Sequence, residues 1–566
     1  MYKKSAPHKQ LDAFSSPIEY LKDSTMNYYL KNDSWHNQFR KQVVMRVDES
    51  IFSVLYTKLT GAPNVSIRVL VGMMILKEAQ GWSDEQLFEN CNFNLLTRSA
   101  LGLMTLEDAV PVASTYYLFR SKLIEYNKKH GVELFKKCQD QITKSQLLEF
   151  NVSGKQVRMD SKLIGSNIAW YGRYELIHET LRMFIGEREE FIFKKSLSKD
   201  EFSLIERIQG EDGNKVVYRS TKAEVDTLFI ALGRLMYRFI SLFKANNYGQ
   251  YQTLKTVFEQ QYSVSKEKMV LPLENEKISA KSIQSPHDTD CHYRNKDGNK
   301  VKGYSVNVTE TCDQLLDEDK PVLNLITDTQ IDVVSTPDSQ FLQQALANTQ
   351  EILANEIEKV YADGAYNSVG NQDFCKTNNI DLLLTAMQGA TPRYTISLDE
   401  QNPDKLIVID NKTGNIIEST QVNTRKNPTE KKWKIRTDQG GYRYFDTQSL
   451  RAAALRQKLK DIPIEQTNIR NNVEATIFQL GYHYSNDKSR YRTLAKHKLW
   501  AYSRSLWINF VRILKYVTQI CQRSLFGSKL PHLIVNICDI MQIYVIILAS
   551  KFQMNKNYKN IRFSTF

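Results

Sequence analysis

Cysteine is scarce in this chain, and what there is lies scattered. Seven thiols, an odd number with no C-x-x-C pair, exclude a disulfide framework and read as reduced thiols of a cytosolic protein. The first ten residues are polar and lack an apolar core segment, so no secretory signal is expected. Long apolar runs are equally rare. Residues 533–550 approach the length of a membrane span, but Asp539 and Gln542 interrupt them at a cost that lipid does not offset. That run reads as a buried or oligomer-facing helix, and no membrane partner is expected. His287, Asp288, Asp290, Cys291 and His292 bunch several ligand types together. No second ligand pair stands at a standard spacing, so a polar loop is preferred to a zinc site.

What is present is charge and apolar content in globular proportion. Of 566 residues, 42% are hydrophobic and 25% charged, enough for a large core but too long a chain for a single one. Three or four domains, or one core with large insertions, are expected. A formal net charge of +13 favours a polyanionic partner, nucleic acid before an acidic membrane surface.

Periodicity divides the chain. Residues 1–34 read as a loose polar arm. Residues 35–130 read as helical: Ile67, Leu70, Val71, Met74 and Ile75 recur at helical spacing behind Asn64 or Ser66, and Ser83 to Gln86 form a capping box. A plain bundle and a DNA-binding head fit that pattern equally. Alternation from Gln156 to Asp160, and again from Ser161 to Gly165, predicts a strand pair carrying Asp160 on one face. Helical spacing returns over residues 174–265 as an insertion. Strands are expected at 304–308, 322–326, before Asp363, and at 380–384, with a helix over 339–355, an order that implies an α/β sheet with parallel pairing. Residues 391–446 read as a β-rich insertion, in which Trp433, Tyr442 and Tyr444 alternate with Lys432, Lys434 and Arg436. This is either a solvated charged face or a platform for DNA.

Three carboxylates stand at element ends or on an apolar stripe. Asp363 follows the apolar run Val360, Tyr361, Ala362 and precedes Gly364, a place where a strand stops and an Asp can meet a metal or a phosphate. The same Asp-Gly pair is also the commonest hairpin turn. Glu474 adjoins a stripe of Ile469, Val473, Ile477 and Leu480, one turn after Arg470. Between 486 and 523, nine basic residues face one acidic residue, a concentration able to track phosphates.

These residues resemble the DDE transposases of bacterial insertion sequences. The segment from Asp160 to Asn167 with Tyr171, Gly172 and Arg173 is similar to that family's first-Asp region, Tyr361 to Tyr366 to its second, and Arg470 to Glu474 to its Arg-x-x-x-Glu motif. Two family positions differ, with Thr467 in place of a Tyr and Gly481 in place of a Lys, leaving Lys488 or Arg490 as candidate substitutes. The resemblance implies an RNase H-like α/β core over 147–390 and 447–510, a helical N-terminal DNA-binding domain over 35–130, and a C-terminal helical segment over 511–566. It implies Mg²⁺, or Mn²⁺, held by Asp160, Asp363 and Glu474, because two such ions about 3.5–4 Å apart stabilise both oxygens of an in-line phosphodiester displacement. Arg173, Arg470, Lys488, Arg490, Arg492, Lys496 and Lys498 are the implied DNA contacts. The implied partners are double-stranded DNA, as element terminal repeats and target, and a second copy in a homodimer. The implied setting is the bacterial cytoplasm at the nucleoid.

Overall fold

The computed structural model describes residues 1–4 and 21–526, apart from 59, 106, 188–196, 244–248, 297, 314–320, 386–390, 400, 403 and 423–430. The apolar run at 533–550 and residues 423–430 of the β-rich insertion therefore lie outside the described residues. Among the described residues, no helix is long and apolar enough to cross a membrane.

A mixed six-stranded sheet carries the architecture. Its strands are β1 (Gln156–Gly165), β2 (His292–Lys296), β3 (Asn299–Thr311), β4 (Ile326–Val333), β5 (Lys359–Ala362) and β6 (Asp381–Leu384). β1 pairs antiparallel with β3 on one side and parallel with β5 on the other, and β6 continues in parallel beyond β5. The far edge of β3 is shared by β2 and β4, both antiparallel. The parallel β5–β6 connection runs through the helix Val369–Thr377, as a crossover between parallel neighbours requires.

Two sequence expectations shift here. The predicted strand pair around Asp160 is one continuous strand, because β3 pairs with β1 along its length, from Val157 opposite Thr311 to Gly165 opposite Gly303. The strand expected at 322–326 begins only at Ile326. The backbone before it is used differently: Leu325 N–H donates to the Thr311 hydroxyl at 3.0 Å.

Side chains alternate across β1 with the strand period of two. Val157 and Met159 enter a core with Leu342, Ala345 and Leu346 of the helix Leu342–Ile352. Arg158, Asp160, Lys162 and Ile164 share the other face, opposite Glu310, Val308, Val306 and Tyr304. Where β1 and β3 end, a Cβ at Gly303 would lie 2.0 Å from the Ile164 carbonyl oxygen, so only glycine permits the approach.

The N-terminal helices cover that second face. Ile67–Gln80 starts at Ser66, whose hydroxyl accepts from Val69 N–H, and stops at Gly81 in the left-handed region with φ 68°. The spacing predicts one apolar stripe, yet the helix is buried nearly all round, including Lys77 and Glu78, because neighbours pack it on several sides. The capping box of Ser83 and Gln86 forms as expected, and Tyr116, Tyr117, Phe119 and Arg120 lie on the helix Ala113–His130. The core of these helices is continuous with Tyr304, Val306 and Val308 of β3 and with Leu506 and Phe510 of the long helix Leu494–Phe526. The helical insertion from Arg173–Gly186 to Gly249–Gln261 and the β-rich insertion each close a core of their own.

Candidate carboxylate site

Asp160 sits mid-strand on β1, and Asp363 follows the last residue of the adjacent parallel strand β5. The parallel register, with Arg158 opposite Tyr361, sets Asp160 beside Asp363 when carried two residues on, and the charge of Asp363 reaches the Asp160 carboxyl. Asp363 N-caps the turn Gly364–Tyr366, its Oδ1 accepting from Gly364 N–H at 2.6 Å. Glu474 comes from a different layer. The chain after Pro463 forms Ile464–Asn471, breaks at Asn472 and resumes as Val473–Leu480, with Glu474 in the first turn of the second helix.

One guanidinium joins two of the three acids. Arg470 Nη2 donates to Asp160 Oδ2 at 2.9 Å and Nη1 to Glu474 Oε1 at 2.6 Å. The Arg470 side chain is 12% exposed, while that of Glu474 is 62% exposed. Asp160 also accepts from Ser161 N–H at 2.8 Å. Burial pushes its carboxyl above the ordinary Asp value, Arg470 and the Ser161 amide pull it back, and the charges of Asp363 and Glu474 push it up again. Asp160 thus lies within reach of the charges of both Asp363 and Glu474, although among the described residues no group of three His, Cys, Asp or Glu side chains is gathered closely enough to hold a metal ion.

Beneath the site lies a buried charge cluster that the sequence reading missed. Glu310, fully buried on β3, accepts from Arg158 Nε at 2.6 Å and Thr476 Oγ at 2.7 Å, and Arg512 Nη1 stands 2.8 Å away. Arg158 also donates to the Ile469 carbonyl at 2.9 Å. Strand β1, both helices of the Arg470–Glu474 segment and the helix Leu494–Phe526 are therefore tied, directly or through Arg158, to one carboxylate on β3. Lys162, two residues from Asp160 on the same strand face, was missed too. Its ammonium pairs with Asp487 at 2.6 Å and would stand 3.4 Å from a Cβ at Gly481. Strand periodicity alone could have placed it beside the site.

The other expected DNA contacts are distributed unequally. Arg173 donates to Gln261 and Asn275, joining parts of the helical insertion. Lys488 donates to the Ile168 carbonyl at 2.9 Å, and Arg492 to that of Asn167 at 2.8 Å. Arg490 donates to Glu78 at 2.8 Å and to the carbonyls of Gly81 and Trp82, fastening the N-terminal helices to the core. Lys498 pairs with Glu133, and Lys496 is exposed. A cleft of about 430 Å³ at the Arg490 joint is lined by Glu78, Tyr484 and Arg504 but by none of the three site carboxylates.

The residues between His287 and His292 are each occupied in the fold. His287 bonds Glu179 at 2.8 Å, buried Asp288 accepts from Tyr304 at 2.6 Å and from Ser166, and His292 bonds Ser335 at 2.7 Å. The six described cysteines are free thiols.

Fold and site together define a basic α/β protein in which one arginine joins an acid of the sheet to an acid of a packed helix. Residues 29–122 match the family model described as Transposase domain (DUF772), which supports a transposase of the insertion-sequence type. Neither the search of curated proteins nor that of solved structures returned a match.

Proposed function

We propose that the chain is an insertion-sequence transposase of the DDE type, cutting DNA at the ends of its element and joining the free 3′ ends to target DNA. The observation that carries this is Arg470 donating to Asp160 and Glu474 at once, with Asp363 at the end of the strand beside Asp160. The match over residues 29–122 supports the same reading from a separate part of the chain. The strand order β4-β3-β1-β5-β6, with β3 antiparallel to β1 and β5 and β6 parallel, supports an RNase H-like core.

The donor set is all oxygen, the chemistry Mg²⁺ or Mn²⁺ prefers, and the Asp160 carboxyl, raised first by burial and then by the charges of Asp363 and Glu474, is one that a divalent cation would draw back down. Asp160, Asp363 and Glu474 would hold such ions, which when bound stabilise charge on the entering and leaving oxygens of the phosphodiester. Arg470 supplies positive charge between Asp160 and Glu474 and would steady the Glu474 carboxylate or a phosphate of the scissile strand. Lys162 adds a second positive group on the same strand face. Paired element ends call for a homodimer, double-stranded DNA is the substrate, and the bacterial cytoplasm at the nucleoid is the place of action.

Incubating the purified protein and Mg²⁺ with a donor plasmid bearing the gene and its flanks, plus target DNA, tests the reading. Joined products are expected. Cuts without joining would leave a nuclease, and binding alone would leave a catalytically silent DNA-binding regulator.

A further inference from the structure

The strands Thr420–Val422, Lys432–Arg436 and Tyr442–Asp446 form an antiparallel sheet with two chemically different faces. Trp433, Ile435 and Phe445 point inward and close a core with Tyr394, Leu406 and Val408 of a second three-stranded sheet. The strand period sends Lys432, Lys434, Arg436, Tyr442 and Tyr444 to the opposite face. Lys434 lies opposite Tyr444, and Arg436 opposite Tyr442. The Lys434 ammonium stands 5.1 Å from the centre of the Tyr442 ring, and both tyrosines remain 59% exposed. Among the described residues, the one carboxylate in the register of that face is Asp446. It is engaged as the N-cap of Thr447–Lys460, accepting from Ser449 N–H at 2.8 Å.

We propose that this face binds single-stranded DNA, with unpaired bases stacked on Tyr442 and Tyr444 and the phosphates tracked by Lys434 and Arg436. Two rings on alternate residues of one strand stand about 6.6 Å apart along it, each open to a separate base. Cations alone serve a duplex backbone, so the exposed rings favour an unpaired strand. The platform is tied to the carboxylate site. Asp446 opens the helix Thr447–Lys460, which Lys458 fixes to Asp381 of β6 at 2.6 Å and Arg451 to Asp373 at 3.3 Å, and the chain then runs on to Arg470. The proposal deepens the transposase reading, whose chemistry generates free strands, but the binding itself needs no cleavage.

Fluorescence anisotropy of full-length protein without divalent cations tests it separately from catalysis, using a labelled 20-mer oligothymidine and a 20-base-pair duplex as probes. The double change Tyr442→Ala with Tyr444→Ala is expected to raise Kd for the single strand at least ~30-fold and for the duplex by no more than ~3-fold. Tyr442→Phe with Tyr444→Phe, which keeps the rings, is expected to bind as the parent does. A single-strand Kd unchanged in the alanine variant, an equal loss on the duplex, or failure of the phenylalanine pair to restore binding would overturn the proposal.

Discussion

Replacing Glu310 by Gln probes the joint on which the Glu474 helices rest. The carboxylate is fully buried and in contact with Arg158, Arg512 and Thr476. Removing one member of a buried ion pair costs about 3–5 kcal/mol, because the partner charge is left without compensation. Arg158 keeps the Ile469 carbonyl and Arg512 keeps that of Asn324 at 3.2 Å, so the lower end, about 3 kcal/mol, is expected. Burial pushes the Glu310 carboxyl up, but Arg512 and Arg158 outweigh it and hold the carboxyl below the ordinary Glu value. A depressed folded value means this stabilisation is complete above the ordinary carboxylate range and is lost as pH falls through the folded value. The gap between parent and variant should therefore narrow on acidification. Urea unfolding followed by the fluorescence of Trp500 and Trp507, on the helix that carries Arg512, reads the change. Arg451→Ala serves as control: it breaks an exposed pair and should cost at most about 1 kcal/mol. A Glu310→Gln midpoint shift no larger than the control's would mean that the buried cluster does not hold the Glu474 helices.

Arg470→Gln removes the group that most lowers the Asp160 carboxyl, so that carboxyl should rise further. The acidic limb of the pH–rate profile for Mg²⁺-supported cleavage should then move to higher pH, and an unmoved limb would detach Arg470 from Asp160. Arg490→Ala strips buried Glu78 of its guanidinium and should cost about 1.5–3 kcal/mol, seen as earlier proteolysis between the N-terminal helices and the core. Resistance equal to the parent's would show that the joint is held elsewhere. Asp363→Asn should bind element ends normally in a gel-shift assay yet lower nicking by at least ~100-fold, the loss of several kcal/mol of charge stabilisation.

The elements were legible in the sequence where one local pattern dominates. Apolar runs bounded by turn residues placed β5 and β6, and the capping box placed the helix after Ser83. Long-range pairing was not legible. Nothing near Asp160 shows that β3 holds all of 157–165 as one strand, and nothing near Glu310 shows that a Glu in a buried strand is met by arginines from 158 and 512. The same limit bears on the basic residues. A run of cations reads as a surface, whereas Arg490 and Arg504 donate to backbone carbonyls across the joint with the N-terminal helices. Spacing gives the charge of a side chain, and only packing gives its partner.

On the proposed reading, acids from three distant parts of the chain share one divalent-cation site. Fe²⁺ in place of Mg²⁺, with ascorbate and peroxide, cleaves the backbone nearest a bound ion, and the fragments can be mapped by mass spectrometry. A shared site requires cuts near 160, 363 and 474 that excess Mg²⁺ suppresses together. Cuts confined to one segment, or insensitive to Mg²⁺, would contradict it.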